Sequence, residues 1–356
     1  MSGGVVQLVA TGIQDAHLTG NPEISFFRSS YKRHTHFAMA VEEQLIQGTP
    51  GASGTSTIRF EKKGDLLSYV YFTCRDKNGL MQTTDWGSVI NRVELLIGGQ
   101  VIDTQDVFFS NTISPMMLSS TYSTKFRSDG TTNIFPLQFF FCKDFNSALP
   151  LVALQFHDVE IRVTWKNPVP DPANVPVYRC WANFIYLDKA EREYFASKPQ
   201  DVIIYQVQRN LVQSSGYNQE LVFNHPVKFI AFPAEAYTDK NQTLRYQING
   251  VDIGADRALP HWTQATLYFH TQFGYDKDVT SNVALIPFCL DTSKLQPTGT
   301  LNFSRIDTFK LITNNQIKLS GSSPDIVDTT RSNYIYAVNY NVLRINQGMG
   351  ALLYSN

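Results

Sequence analysis

Histidines, cysteines and paired carboxylates are the residues of this chain whose types could do chemistry, and their spacing argues against most of it. His34 and His36 stand at i and i+2, which puts two imidazoles on one face of a strand, and with Glu42 they could hold a divalent metal as cupin jelly rolls do. Such sites carry a shorter gap between histidine and glutamate and a glycine upstream. Here five residues separate His36 from Glu42, and Arg28 stands in the glycine's place. Surface or interface histidines are the better reading, so neither a metal nor a cofactor is assigned. His17, His157, His225, His261 and His270 pair with nothing at an informative spacing. Asp158 and Glu160 have the spacing of a carboxylate pair, yet they alternate with core residues of a strand and read as its solvated face. Cys74, Cys142, Cys180 and Cys289 lie far apart with no C-x-x-C pair, as buried free thiols of a reducing compartment would. The phosphate-cradling, nucleophile-elbow and zincin motifs do not occur, so an enzyme is not the reading.

A basic cluster, Arg28, Lys32, Arg33, His34 and His36, is interleaved with Phe26, Phe27, Tyr31 and Phe37. This composition could stack on and neutralise nucleic acid. Against that, 30 Lys and Arg balance 31 Asp and Glu to a net charge of −1, and no second basic surface supports the cluster. Contact with a protein neighbour is preferred, and direct genome binding is not expected. Two sequons, at Asn241 and Asn302, read as chance.

The elements that must position these residues are strands. At 356 residues the chain exceeds what one core usually serves, so two domains or one large β domain are expected. With 43% hydrophobic and 17% charged residues, against about 25% charged in an average domain, disorder is excluded. Val159-Glu-Ile-Arg-Val-Thr-Trp165 alternates strictly, and Thr57–Glu61, Arg92–Ile97 and Tyr334–Val342 look similar. Turn clusters at 48–51, 77–79, 98–99, 128–130, 167–172, 249–250 and 320–324 suit sandwiches of many strands and do not suit βαβ units. One stretch, 187–197, is helical in composition, with Asp188 as its cap and Pro199 as its stop. It sits mid-chain and marks a boundary near residues 188 to 200. A duplication is suggested by Leu149-Pro-Leu and the later segment from Leu285 to Leu301-Asn-Phe303. The first residues lack a basic leader, and no apolar run approaches the ~18 residues of a membrane span, which predicts a soluble, cytosolic product.

Several long stretches have no catalytic logic but are highly specific as text. The segment from Val9-Ala-Thr-Gly-Ile-Gln-Asp through Asn21-Pro22 to Phe26-Phe27-Arg28, continued by Tyr31-Lys32-Arg33, resembles the start of the major capsid proteins of nucleocytoplasmic large DNA viruses. Residues 148–161, 295–307 and 339–356 agree with the same family in the same order, and 186–196 resembles its linker helix.

The resemblance implies an all-β fold of two consecutive eight-stranded jelly rolls joined by a short helical linker. Its divisions are an N-terminal arm at 1–24, a first roll at 25–187, the linker at 188–200 and a second roll at 201–356. It implies a structural, non-enzymatic protein of the virion shell. Three chains form a pseudo-hexagonal capsomer, many capsomers tile an icosahedral lattice, and assembly takes place in the host cytoplasm. Its partners would be itself, neighbouring capsomers, and minor capsid and penton proteins, with any internal membrane reached indirectly. Asn21, Pro22, Phe26, Phe27, Arg28, Tyr31, Lys32 and Arg33 are the candidate assembly contacts. The chain is short for the family, so a low outer surface is expected. The rival readings are a minor or penton-associated paralogue and a lectin-like attachment module.

Overall fold

The computed structural model describes residues 7–51, 53–118, 131–166, 176–212, 218–233, 241–272, 283–314 and 332–354. The turn clusters at 128–130, 167–172 and 320–324 lie outside these residues, as do residues 2–5. Where the sequence alternates most strictly, the pleat follows it. In β11 (Val159–Trp165), Val159, Ile161, Val163 and Trp165 are buried, and Glu160, Arg162 and Thr164 are half-buried between them.

Four antiparallel sheets account for most of the strands. Sheet I contains β1 (Phe37–Gln44), β4 (Leu66–Arg75), β9 (Ile134–Pro136), β10 (Leu149–Pro150) and β12 (Val177–Leu187). It runs β1-β12-β4-β10, with β9 also on β4. Sheet II runs β2-β3-β11-β6-β7 and adds β2 (Ile46–Gln47), β3 (Thr55–Arg59), β6 (Ile90–Ile97) and β7 (Gln100–Asp106). A small pair joins β5 (Thr84–Asp85) to β8 (Thr131–Thr132).

The second half repeats the plan. Sheet III contains β13 (Gln200–Leu211), β15 (Pro226–Pro233), β18 (Val283–Pro287), β19 (Leu301–Asn302), β21 (Tyr334–Asn346) and β22 (Met349–Leu352). Its order is β13-β21-β15-β18, with β19 on β15 and β22 on β21. Sheet IV orders β14 (Asn218–Leu221), β20 (Phe309–Thr313), β16 (Thr243–Ile248) and β17 (Val251–Ala258) as β14-β20-β16-β17. The suggested duplication has its structural counterpart here, since β10 and β19, at Leu149 and Leu301, take the same place in sheets I and III.

The expected alternation fails in β21, where Ile335 to Asn341 are all buried. Sheet III is covered on both faces, so both sets of side chains must leave water. Val227, Ile230, Phe232, Ile335 and Ala337 pack with Leu244, Phe309 and Leu311 of sheet IV. Their neighbours Phe229, Ala231, Tyr336 and Val338 belong to the larger core, together with Phe108, Phe109 and the apolar faces of sheets I and II. The two halves therefore do not bury separate cores. β6 departs from alternation in the same way, being buried from Val93 to Ile97.

Between β12 and β13 runs the helix Lys189–Ser197, capped as its sequence requires: Asp188 Oδ1 accepts from the Glu191 N–H at 2.9 Å. Shorter helical turns escaped the sequence pattern. They include two π turns of five residues, Phe109–Ile113 and His261–Ala265, each running on into a short α-helix, Ser114–Met117 and Thr266–His270. Among the described residues no helix is long and apolar enough to cross a membrane. Residues Phe37–Asn356 form one compact unit, and Met1–His36 form another.

Candidate functional site

The sequence-based assembly contacts all fall in the Met1–His36 unit. Its described residues are exposed throughout, with one helical turn at Ala16–Thr19. Asn21 takes the left-handed conformation (φ 49°), which asparagine tolerates better than most residues, and Pro22 follows it. Phe26, Phe27 and Tyr31 are large apolar side chains left in water, Phe27 with 97% of its surface accessible. Arg28, Lys32 and Arg33 stand exposed among them. Aromatic rings beside cations in this state have the composition of an interface that forms on association.

The histidine and glutamate of the metal hypothesis have other engagements. His34 Nδ1 lies 2.7 Å from the Thr35 carbonyl. Glu42 receives the Lys63 ammonium at 2.9 Å and the Tyr186 hydroxyl at 3.4 Å. Asp158 is paired with Arg59 and lies 3.9 Å from Lys62, as suits a solvated strand face. All four cysteines are free; Cys142 is half-buried and the other three are buried. Burial pushes the Cys142 thiol up to about 12 and the Cys289 thiol up to about 11, far from a reactive thiolate.

Sequence reasoning missed a buried polar seam between β7 of the first half and β13 and β21 of the second. Asp103 accepts from the Val207 N–H at 2.8 Å, the Thr104 N–H at 3.0 Å and the Gln105 amide at 2.7 Å. These donors are neutral, and burial, the dominant effect, pushes the Asp103 carboxyl up to about 7. Asp106 accepts from the Tyr336 hydroxyl at 2.7 Å and the Phe109 N–H at 2.9 Å, and Arg209 Nη1 stands 3.3 Å away. Burial raises its carboxyl too, opposed by those three partners. Gln206 donates to the Ile102 carbonyl and accepts from Asn341 Nδ2 at 2.8 Å. Every one of these contacts joins the two halves or braces a residue that does, so the seam fastens. The only signal in the sequence was the Gly98-Gly99 turn, after which a second strand had to follow.

Outside the seam, sheet I presents an outward face with Met39 and Val41 exposed and Tyr71 and Trp181 half-buried. In the second half, Tyr268 and Phe269 project from the helix Thr266–His270 with 61% and 75% of their surfaces in water. Apolar surface of this kind marks an interaction site more often than an accident.

Comparison with known proteins fits a shell component. Residues 25–188 match the family described as major capsid protein N-terminus, and 268–351 match the large eukaryotic DNA virus major capsid protein family. The major capsid protein of Pyramimonas orientalis virus is 31% identical over 407 residues, and that of Paramecium bursaria Chlorella virus 1 is 31% identical over 437; both alignments cover all of both chains. The chain belongs to the major capsid protein family of large eukaryotic DNA viruses. A capsid chain from a quasi-atomic model of the PBCV-1 virus capsid matches with a TM-score of 0.74 at 26% identity, covering 93% of this chain and 100% of that one. The architecture is thus the double jelly roll of major capsid proteins, its place is the virion capsid, and its role is structural.

Proposed function

We propose that three copies of this chain form a homotrimeric capsomer of nearly hexagonal outline that tiles an icosahedral shell, assembled in the host cytoplasm. The observation that carries this reading is the repeated plan of sheets I and III, each flanked by a second sheet. Two similar rolls per chain give a threefold particle six similar edges, and near-equivalent contacts with its neighbours follow. Along the chain the division is an arm at 1–24, rolls at 25–187 and 201–356, and the linker at 188–200. Asn21, Pro22, Phe26, Phe27, Arg28, Tyr31, Lys32 and Arg33 serve assembly on the inner side of the shell, where they meet neighbouring capsomers or minor capsid and penton proteins. The membrane beneath is reached through such partners, and the genome is not contacted directly.

Light scattering of the purified chain at micromolar concentration tests the oligomer: three times 40.2 kDa is expected, and a monomer that persists at high concentration contradicts it. Deleting residues 1–20 tests the arm. The truncated chain is expected to fold and to form the same oligomer while contacts between capsomers weaken. Failure to fold, or shells built as efficiently as by the intact chain, rules the arm out.

A further inference from the structure

Sheets I and III correspond residue by residue. Leu149 faces Leu67 as Leu301 faces Val227, and after a bulge in each strand Ala182 faces Val70 as Ala337 faces Ile230. One residue on, Trp181 faces Tyr71 as Tyr336 faces Ala231. On the next strand, Val41 faces Asn183 as Val207 faces Val338, and Glu43 faces Trp181 as Arg209 faces Tyr336. Sheets II and IV share a second device. Each ends in a hairpin turning on two residues of positive φ, Gly98-Gly99 and Asn249-Gly250, and its last strand leads into a five-residue π turn and a short helix.

Inside the chain, these two devices meet. The first-half turn lies on sheet III, where the Phe108 and Phe109 rings approach Tyr336 at 5.9 and 6.1 Å, and Asp106, just before the turn, pairs with Arg209. The same two surfaces exist a second time, and there they are open. Trp181 takes the place of Tyr336, Val41 that of Val207 and Glu43 that of Arg209. On the second-half turn, Tyr268 and Phe269 hold the places of Met116 and Met117, which are 3% and 0% exposed. β17 is exposed along its whole length, whereas its counterpart β7 is largely buried in the seam. The signs are reversed on the two surfaces: the sheet now offers the carboxylate of Glu43 in the place of Arg209, and the strand before the turn offers Arg257, one residue before Ala258, which holds the place of Asp106.

We infer that a second copy of this chain covers the outward face of sheet I, laying its β17 edge and its 261–270 turn over Met39, Val41 and Trp181, with Arg257 against Glu43. The contact rests on the homotrimer reading and gives it a surface. Each copy offers one open sheet and one open turn, so the contact is head-to-tail, and such contacts finish only by closing into a ring. In the single chain Glu43 is exposed and held by Arg179 at 3.2 Å, and Arg257 Nη1 stands 2.9 Å from His261 Nε2. Covering both with apolar surface lowers the local dielectric and strengthens their attraction.

Reversing the charges on the full chain tests this, with the oligomer read by sedimentation over a range of concentrations. Glu43→Arg and Arg257→Glu are each expected to raise the concentration of half-assembly by about tenfold or more, and the double variant to return most of that loss. A trimeric wild type whose single variants assemble equally well overturns the contact and leaves the trimer standing. So does a double variant no better than the worse single one. A wild type that stays monomeric overturns both readings.

Discussion

Tyr336 and Trp181 occupy matching positions on two sheets of one topology, yet Tyr336 has no accessible surface while Trp181 is half-buried. Tyr336 meets Phe108, Phe109 and the Asp106 carboxylate of the first half. Trp181 donates to Thr73 Oγ1 at 3.1 Å on its own sheet and otherwise faces outward. The difference teaches that burial in this fold is set by what lies on a sheet and not by the strand's own pattern. A duplicated roll needs a cover on each outward face; the chain supplies one of the two.

The largest expected effect sharpens that contrast. Tyr336→Ala should cost about 3–5 kcal/mol in denaturant unfolding, through lost ring contacts, a cavity and a stranded Asp106. Trp181→Ala should cost the single chain about 1 kcal/mol, in keeping with partial exposure, while abolishing the oligomer. Equal costs to the isolated chain would break the comparison.

Next comes the pH dependence of the seam. The folded-state value of Asp103, about 7, lies above its unfolded value near 4, so the folded state holds the proton more tightly. Its contribution is fully present below pH ~4, is lost as pH rises toward 7 and is constant above, with an amplitude on the order of 4 kcal/mol. Lys143 runs the other way. It is half-buried, donates to Ser114 Oγ at 2.7 Å and to Gln138, and is lowered by desolvation to about 7, so stability should recover between about pH 7 and 10. Urea titrations of the wild type and of Asp103→Asn across pH 4 to 10 measure this. The variant should lack the falling limb and keep the rising one, and parallel curves between pH 4 and 7 would count against a protonated seam.

The smallest effect concerns the connecting helix. Asp188→Ala removes a cap and should cost about 1 kcal/mol without changing the oligomer. A larger loss would mean that the helix contributes to holding the halves together, beyond linking them.

How much of this was legible depends on what each residue faces. β11 could be read because one of its faces is covered and the other is wetter, and the helix at 189–197 because Asp188 and Pro199 bracket good helix formers. The fold class came through long specific stretches of text. β21 could not be read correctly, because a strand covered on both sides loses its period, and the second cover, Phe108 and Phe109, comes from over two hundred positions away. Asp103 and Asp106 were invisible for the opposite reason: carboxylates are expected in water, and only the fold brings Val207, Tyr336 and Arg209 to them. The π turns lacked any period to detect at five residues. The exposed aromatics of 26–31 were legible as a cluster because their neighbours in sequence are also their neighbours in composition.

A single-particle image of the purified assembly, at a resolution that separates strands, tests the central claim most directly. The account predicts three chains in a ring of six rolls, with the outward face of sheet I around Met39, Val41 and Trp181 covered by the 261–270 turn of the next copy. A ring in which that face stays open to solvent, or a particle of any other copy number, would contradict it.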